Sequence, residues 1–366
     1  MSSSSTTRYI ALDALRGLTI ALMILVNTPG SWSYIYAPFQ HADWHGCTPT
    51  DLVFPFFMCI VGAAMYFSFA KDAFQWSSEK GLKIAKRTCI IFLIGLFLNA
   101  YPFHQGLDDL RILGVLQRIA LSYAIAAIIV LSFSRNVVLL ICGLILLGYW
   151  VVMVGFGSAV PFSLEGNAVL KLDKIILGDS HLWQGKGVPF DPEGILSTLP
   201  SVVNVLFGFL VAGWLSSQMD KLRAVKGLIA AGAVLLVTGL LWGLVFPINK
   251  SLWTSTFVVY TCGYFSIALA FFIWLVDIKQ CKSTVHPLIV YGSNPLFIYA
   301  LSGLWVMSYS LISFAPPAND LYGAMYLFLE GFLAPKVASL VFALLHVIFF
   351  WCISLILYKK KIFIKV

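Results

Sequence analysis

Apolar residues in this chain come in long unbroken blocks, unlike the alternation of a half-buried strand or the one-sided stripe of a surface helix. A bilayer crossing takes roughly 20 predominantly apolar residues in a helix. Ten stretches meet that length approximately: 9–28, 51–70, 87–101, 112–133, 137–156, 197–216, 227–246, 253–276, 287–307 and 337–358. Backbone amides in lipid need internal partners, so these stretches are expected to be helices, and no strand-period alternation of the barrel kind appears. The expected fold is all-α, a polytopic membrane bundle of about ten transmembrane helices forming one domain over 1–366, with a disordered tip at 1–8 and a structured outer loop at 157–196. The first block lacks a small-residue cleavage site and carries Asp13 and Arg16, so it reads as a mature helix and not as a signal peptide.

Composition agrees with the pattern. Of 366 residues, 60% are hydrophobic and 11% charged, against roughly 25% charged in soluble domains. That excludes a soluble enzyme, a disordered chain and a secreted disulfide scaffold. The seven cysteines show no CxxC and no metal spacing, and five fall inside apolar runs, as packing residues do. The net charge of +8 is not gathered into a basic patch with interleaved aromatics, so no nucleic-acid partner is expected. Its distribution speaks of topology. With the N-terminus inside, 16 Lys and Arg residues fall on the inner side and 6 on the outer, while Arg16 and Arg118 lie within spans. The positive-inside rule then places both termini in the cytoplasm.

Charged and amide side chains inside spans mark functional sites by default. Asp13 and Arg16 lie three apart on one helix face, as a self-compensating pair or as a cavity-facing arginine that recognises an anion. Asn27 ends the first span, as a C-cap or as an amide donor to a carbonyl or oxyanion. Asp51 opens the second span, favoured there by the helix dipole. His41 and His45 are four apart, but no third ligand completes a local set, so no metal is expected. A histidine near a membrane cavity is better suited to general base catalysis. Arg111, Gln117 and Arg118 gather at the fourth span, where they could be bundle glue. Asn204, Asn294 and His346 are further intramembrane polar residues. The basic end at 358–366 is read as an anchor on anionic lipid or as a contact for ligand phosphates.

Several segments together resemble one family. They are AspAlaLeuArgGlyLeu (13–18), ValAsn (26–27), HisAlaAspTrpHisGly (41–46), ThrProThrAspLeuValPheProPhePhe (48–57), ArgIleLeuGlyValLeuGlnArg (111–118), LeuGlyAspSerHisLeu (177–182), AspProGluGlyIleLeu (191–196), ProIleAsnLysSerLeuTrp (247–253), SerAsn (293–294) and TyrLysLysLysIlePhe (358–363). Order and spacing resemble the heparan-alpha-glucosaminide N-acetyltransferase family of transmembrane acetyltransferases over essentially the whole chain. The resemblance implies an acetyl-CoA-dependent N-acetyltransferase that takes acetyl from cytoplasmic acetyl-CoA and passes it to the amine of a terminal glucosamine across the membrane. It places the catalytic histidine at His41 and the matching asparagine at Asn27, with Asp51 beside them. Arg16, Arg111, Gln117, Arg118, Asn294, Lys359 and Lys360 are the residues expected to hold CoA. Asp13, Trp44, His45, Asp179, His181, Asp191 and Glu193 are those expected to shape the sugar pocket. The additional luminal domain of the lysosomal enzyme has no counterpart here, so the chain is read as a bacterial member of an inner membrane acting on a free amino sugar or a small glucosamine-containing saccharide. A homodimer is implied by the resemblance alone. His41 would act as general base or as the acetyl acceptor of a covalent route. Two other classes fit the same pattern of buried charge: an amino-sugar transporter and an O-acyltransferase of an envelope polysaccharide.

Overall fold

A computed structural model describes residues 9–104 and 106–364. The tip expected at 1–8 lies outside the described residues, as do Arg8 and Lys365. The described residues fold into helices α1 (Ile10–Asn27), α2 (Val53–Ala70), α3 (Ser78–Ala100), α4 (Val115–Ser132), α5 (Arg135–Phe156), α6 (Ala168–Leu177), α7 (Ile195–Ser216), α8 (Lys221–Trp242), α9 (Ser255–Phe272), α10 (Lys282–Tyr291), α11 (Pro295–Met307), α12 (Leu321–Glu330) and α13 (Pro335–Lys359). Short 3₁₀ turns precede α2 and follow α11, and a π-helical stretch, Ile273–Ile278, extends α9. No β-strand forms among the described residues; two isolated bridges, Gly46–Asn249 and Ser313–Asp320, are the sole strand-like pairings there. The membrane helix bundle expected from the apolar blocks is the fold observed.

Eight helices are long and apolar enough to cross a bilayer, and a ninth crossing results if α10 and α11, bent by 60°, count as one. The expected block at 287–307 is thus broken. Gly292, Ser293 and Asn294 interrupt it, and Pro295 starts the second half, where a missing N–H costs nothing. α3 begins nine residues earlier than the expected block at 87. Its opening turns carry Glu79, Lys80, Lys83, Lys86 and Arg87, so it forms a long helix without meeting the apolar criterion throughout. α6 and α12, ten residues each, lie in segments where no span was expected.

The bundle has an inner and an outer tier. In α1, α2, α4, α7 and α9, 56–61% of the membrane-length window is buried, against 22–28% in α5, α8 and α13. Small residues set the inner contacts. A Cβ on Gly62 would lie 1.8 Å from the Val205 carbonyl oxygen, and one on Gly208 would lie 1.8 Å from that of Cys59, so α2 and α7 touch backbone to backbone. Gly17 of α1 sits equally tightly against Leu288 of α10. Close approach of this kind is how helices associate where lipid removes the hydrophobic drive between them.

Candidate active site

The segment between α1 and α2 folds back as a loop whose polar core is Asp51. This carboxylate is 1% exposed. Its Oδ2 accepts the amides of Ala42 (3.1 Å) and Thr48 (3.0 Å) and the Thr48 hydroxyl (3.0 Å). Thr48 and Asp51 form a capping box at the entry to α2, which satisfies two backbone donors that the helix leaves unpaired. The other oxygen, Oδ1, lies 2.6 Å from His41 Nδ1. A carboxylate can only accept, so the proton of this contact sits on Nδ1 and the lone pair of the imidazole is on Nε2. The ring is 44% exposed, held from behind and open in front. Such an imidazole can take a proton or attack an acyl carbon.

Lys250 completes the group, with Nζ 3.0 Å from His41 Nδ1 and 3.3 Å from Asp51 Oδ1. It arrives on the turn between α8 and α9. That turn is tied to the His41 loop through Gly46, whose amide donates to Ile248 O at 2.7 Å, and through Asn249 Nδ2, 3.3 Å from His45 Nδ1. Burial holds the His45 imidazole below its ordinary range, so it is neutral at pH 7. Burial, reinforced by the Asp51 charge, pushes the neighbouring Cys47 thiol up to about 12, which removes it as a nucleophile. Trp44 is anchored by its indole N–H to Phe162 O at 2.8 Å and by an edge contact with Phe190. His41 and His45 therefore face different partners, and among the described residues no three His, Cys, Asp or Glu side chains form a metal-holding group.

Asn27, at the end of α1, is exposed into a cavity of about 370 Å³ that it shares with Thr28, Asn99, Arg111, Gln117, Tyr299 and Ser302. A wider opening beyond it is lined by Tyr101, Asp109, Ser180, Trp183 and Gln184, with Asn99 and Arg111 common to both. Arg111 has a demanding set of partners. Nε and Nη2 hold the two Asp191 oxygens at 2.8 Å each, and Nη2 also reaches Glu193 at 2.8 Å. Burial works against the charge of Arg111, but Asp191 and Glu193 outweigh it and raise the pKa above the ordinary guanidinium range. The three residues clamp the 157–196 segment onto the start of α4, a different employment from the contact with CoA expected of Arg111. His181 helps, with Nδ1 2.7 Å from Leu110 O. Gln117 donates to Ile112 O at 2.9 Å, and Asn99 donates to Arg111 O and Leu113 O. Asp179 stays outside, 3.3 Å from Lys174.

Arg118 lies one turn deeper and is 1% exposed. It donates to Ser197 Oγ and stacks its guanidinium 4.7 Å from the Trp253 ring centre. It lines neither cavity just described. Near it, Asp173 of α6 accepts the Ile195 amide at the start of α7. Burial lifts this carboxyl to about 7.

The opposite end of α1 carries a second polar region. Arg16 donates to Asp13 at 2.6 Å and to Gly292 O at 2.7 Å. It borders two openings, one lined with Asp13, Ser68 and Lys71 and the other with Ser293, Tyr358, Lys359 and Lys361. Asn294 holds the end of the chain, donating to Ile362 O at 3.0 Å and accepting the Ile364 amide at 2.7 Å. Lys360 is exposed on the same tail. Eleven residues separate Arg16 from Asn27, roughly 16 Å along a helix. The expected site residues thus sort into a His41–Asp51 centre, an Asn27–Arg111–Gln117 cavity and an Arg16–Lys359 region, with Asp13 grouped with the last and not with the sugar-facing residues. Lys250, Asn249 and Asn99 were not among the expected site residues. For Lys250 the available signal is its place in ProIleAsnLysSerLeuTrp, one of the segments that carry the family resemblance.

Eight apolar helices long enough to cross a bilayer, with polar cavities among them, define an integral membrane protein. The family model described as heparan-alpha-glucosaminide N-acetyltransferase, catalytic, matches residues 8–239. The chain is 29% identical over 359 residues to human heparan-alpha-glucosaminide N-acetyltransferase, covering 81% of this chain and 53% of that protein. With the mouse protein of the same name it shares 28% over 356 residues, again 81% of this chain and 53% of the relative. The chain belongs to the heparan-alpha-glucosaminide N-acetyltransferase family. It spans about half the length of these curated relatives.

Proposed function

We propose that this chain is a membrane acetyltransferase that moves acetyl from acetyl-CoA to the amine of a terminal glucosamine or a small amino sugar. The observation that carries the reading is the His41 imidazole, oriented by a buried carboxylate at 2.6 Å and open on its other side, in a chain of this family. The acceptor nitrogen attacks the thioester carbonyl, and a proton passes from it to His41 Nε2. The tetrahedral oxyanion is steadied by an amide N–H, the role assigned to Asn27, a contribution of roughly 10²–10³ in rate where a single such donor is removed. Collapse breaks the C–S bond, and the CoA thiolate takes the proton back from the imidazolium. Asp51 orients the ring and faces the charge that develops on it.

Acetyl-CoA is anionic at its nucleotide end. The opening bordered by Arg16, Lys359 and Lys361 offers fixed positive charge for phosphates, and by the distribution of Lys and Arg it faces the cytoplasm. The acetyl group would then cross the bundle along α1 toward Asn27 while the sugar enters by the outer opening past Trp183 and Gln184.

Purified protein in detergent, given acetyl-CoA and a panel of amino sugars, should release free CoA and a sugar heavier by one acetyl group. His41→Ala, folded by thermal melting, should lose at least about 10³-fold in turnover. Sugar recovered unchanged from the wild-type reaction would mark a transporter instead, and acetylation of hydroxyl-only sugars would mark an O-acyltransferase. Labelled acetyl-CoA without acceptor tests the covalent route: label retained on His41 makes the imidazole the acetyl acceptor.

A further inference from the structure

The mechanism above leaves one group of the centre without a task, the Lys250 ammonium. Its Nζ lies 3.3 Å from Asp51 Oδ1 and 3.0 Å from His41 Nδ1. At 22% exposure for Lys250 and 1% for Asp51, the pair is largely withdrawn from solvent, where charge is poorly screened. The 2.6 Å contact keeps the proton on Nδ1 and directs it at Asp51, so Nδ1 has no lone pair for Lys250, and the ammonium donates to the carboxylate alone. The trio is then a neutral imidazole, one negative and one positive charge, with no net charge.

The turn that delivers Lys250 is braced. Asn249 Oδ1 accepts the Leu252 amide at 2.8 Å, and Thr254 Oγ1 accepts the Asn249 amide at 3.0 Å. Trp253 is held at φ +49°, a left-handed conformation a bulky residue adopts only under surrounding constraint. The constraints are Asn204 Oδ1, which accepts the indole N–H at 2.9 Å, and the Arg118 guanidinium over the ring. Side-chain freedom in this turn is spent on fixing where the ammonium sits.

An acceptor sugar arrives largely as an ammonium, which has no lone pair and cannot attack. Resting on the acetyltransferase reading, we propose that Lys250 is a positioning residue that neutralises Asp51 and so makes the His41 centre admit the acceptor's free amine in preference to its ammonium. Without Lys250 the trio carries one net negative charge and attracts the unreactive cation.

The test uses a permanent cation, glucosamine with its nitrogen as trimethylammonium, and its neutral carbon isostere, both as competitors of the acceptor. Wild type should bind the isostere more tightly than the cation. Lys250→Met should reverse that order, tightening the cation by about tenfold, and lower turnover by about tenfold or more with the KM for acetyl-CoA unchanged. Lys250→Arg should keep the wild-type order. A cation that binds wild type better than its isostere overturns the proposal without recourse to any variant, as does a folded Lys250→Met protein with unaltered preference. If wild type makes no acetylated sugar, the acetyltransferase reading itself falls, and this inference with it; product formation with unaltered preference refutes the role of Lys250 alone.

Discussion

Arg118 shows how far a residue's surroundings decide its role. Its guanidinium lies over the Trp253 ring, reaches Ser197 and approaches Gly194 O, joining α4, α7 and the strained turn before α9. A lysine would keep the charge but lose the planar fork and the stack. Arg118→Lys is expected to cost about 1–3 kcal/mol of stability, read as a lower melting temperature in detergent, while the KM for acetyl-CoA stays unchanged. The sequence displayed the intramembrane charge plainly and hid its partners, because Ser197 and Trp253 are 79 and 135 residues away. His41 and Asp51 were easier to read. They sit ten residues apart in one loop, and the ThrProThrAsp capping pattern fixes where that loop must end. Lys250, 209 residues from His41, had no local pattern to connect it.

At the scale of elements, continuous apolar runs are informative and their interruptions less so. The eight crossings were legible because a 20-residue apolar stretch has few alternatives. α6 and α12, at ten residues each, fall below that window, and α6 gains its place by burying Val169 and Leu170 in a cluster with Tyr149, Phe190 and Phe246. The contact between α2 and α7 invites a direct test. Gly62→Ala would drive a Cβ into the Val205 carbonyl at 1.8 Å, so the helices must separate. The expected cost is about 1–3 kcal/mol or more, seen as thermal destabilisation in detergent. Gly148→Ala on α5, where a Cβ meets nothing within 4 Å, should stay within about 0.5 kcal/mol of wild type.

For the whole molecule, the 157–196 segment is bound to the bundle through carboxylates, which makes its docking sensitive to pH. Asp191 and Glu193 are both paired with Arg111. Asp173 has no such pairing: one oxygen accepts the Ile195 amide, and the other has no hydrogen-bond partner among the described residues. Its folded pKa, about 7, is raised above an unfolded value of roughly 3.9. Its contribution to stability is therefore fully present below the unfolded value and lost as pH rises through about 7, on the order of 4 kcal/mol across the window. Asp173→Asn, which cannot ionise, should flatten that part of the stability profile, measured as melting temperature from pH 4 to pH 8. A change confined to higher pH would assign the slope to another group. Hydropathy located this loop outside the bilayer, but the pairing of Arg111 with Asp191, 80 residues on, followed only from the fold.

The contact of α1 with α10 has a consequence for the order in which the protein is made. Arg16 donates to Gly292 O across 276 residues of sequence, and Gly17 packs on the same break. At about 5–20 residues per second, α1 leaves the ribosome between roughly a quarter of a minute and a minute before its partner exists. During that interval its two charges must be carried into lipid by the helix alone. The Asp13–Arg16 contact at 2.6 Å, one turn apart, lets the nascent helix neutralise itself, so that the residue which later closes the bundle does not bar its own insertion.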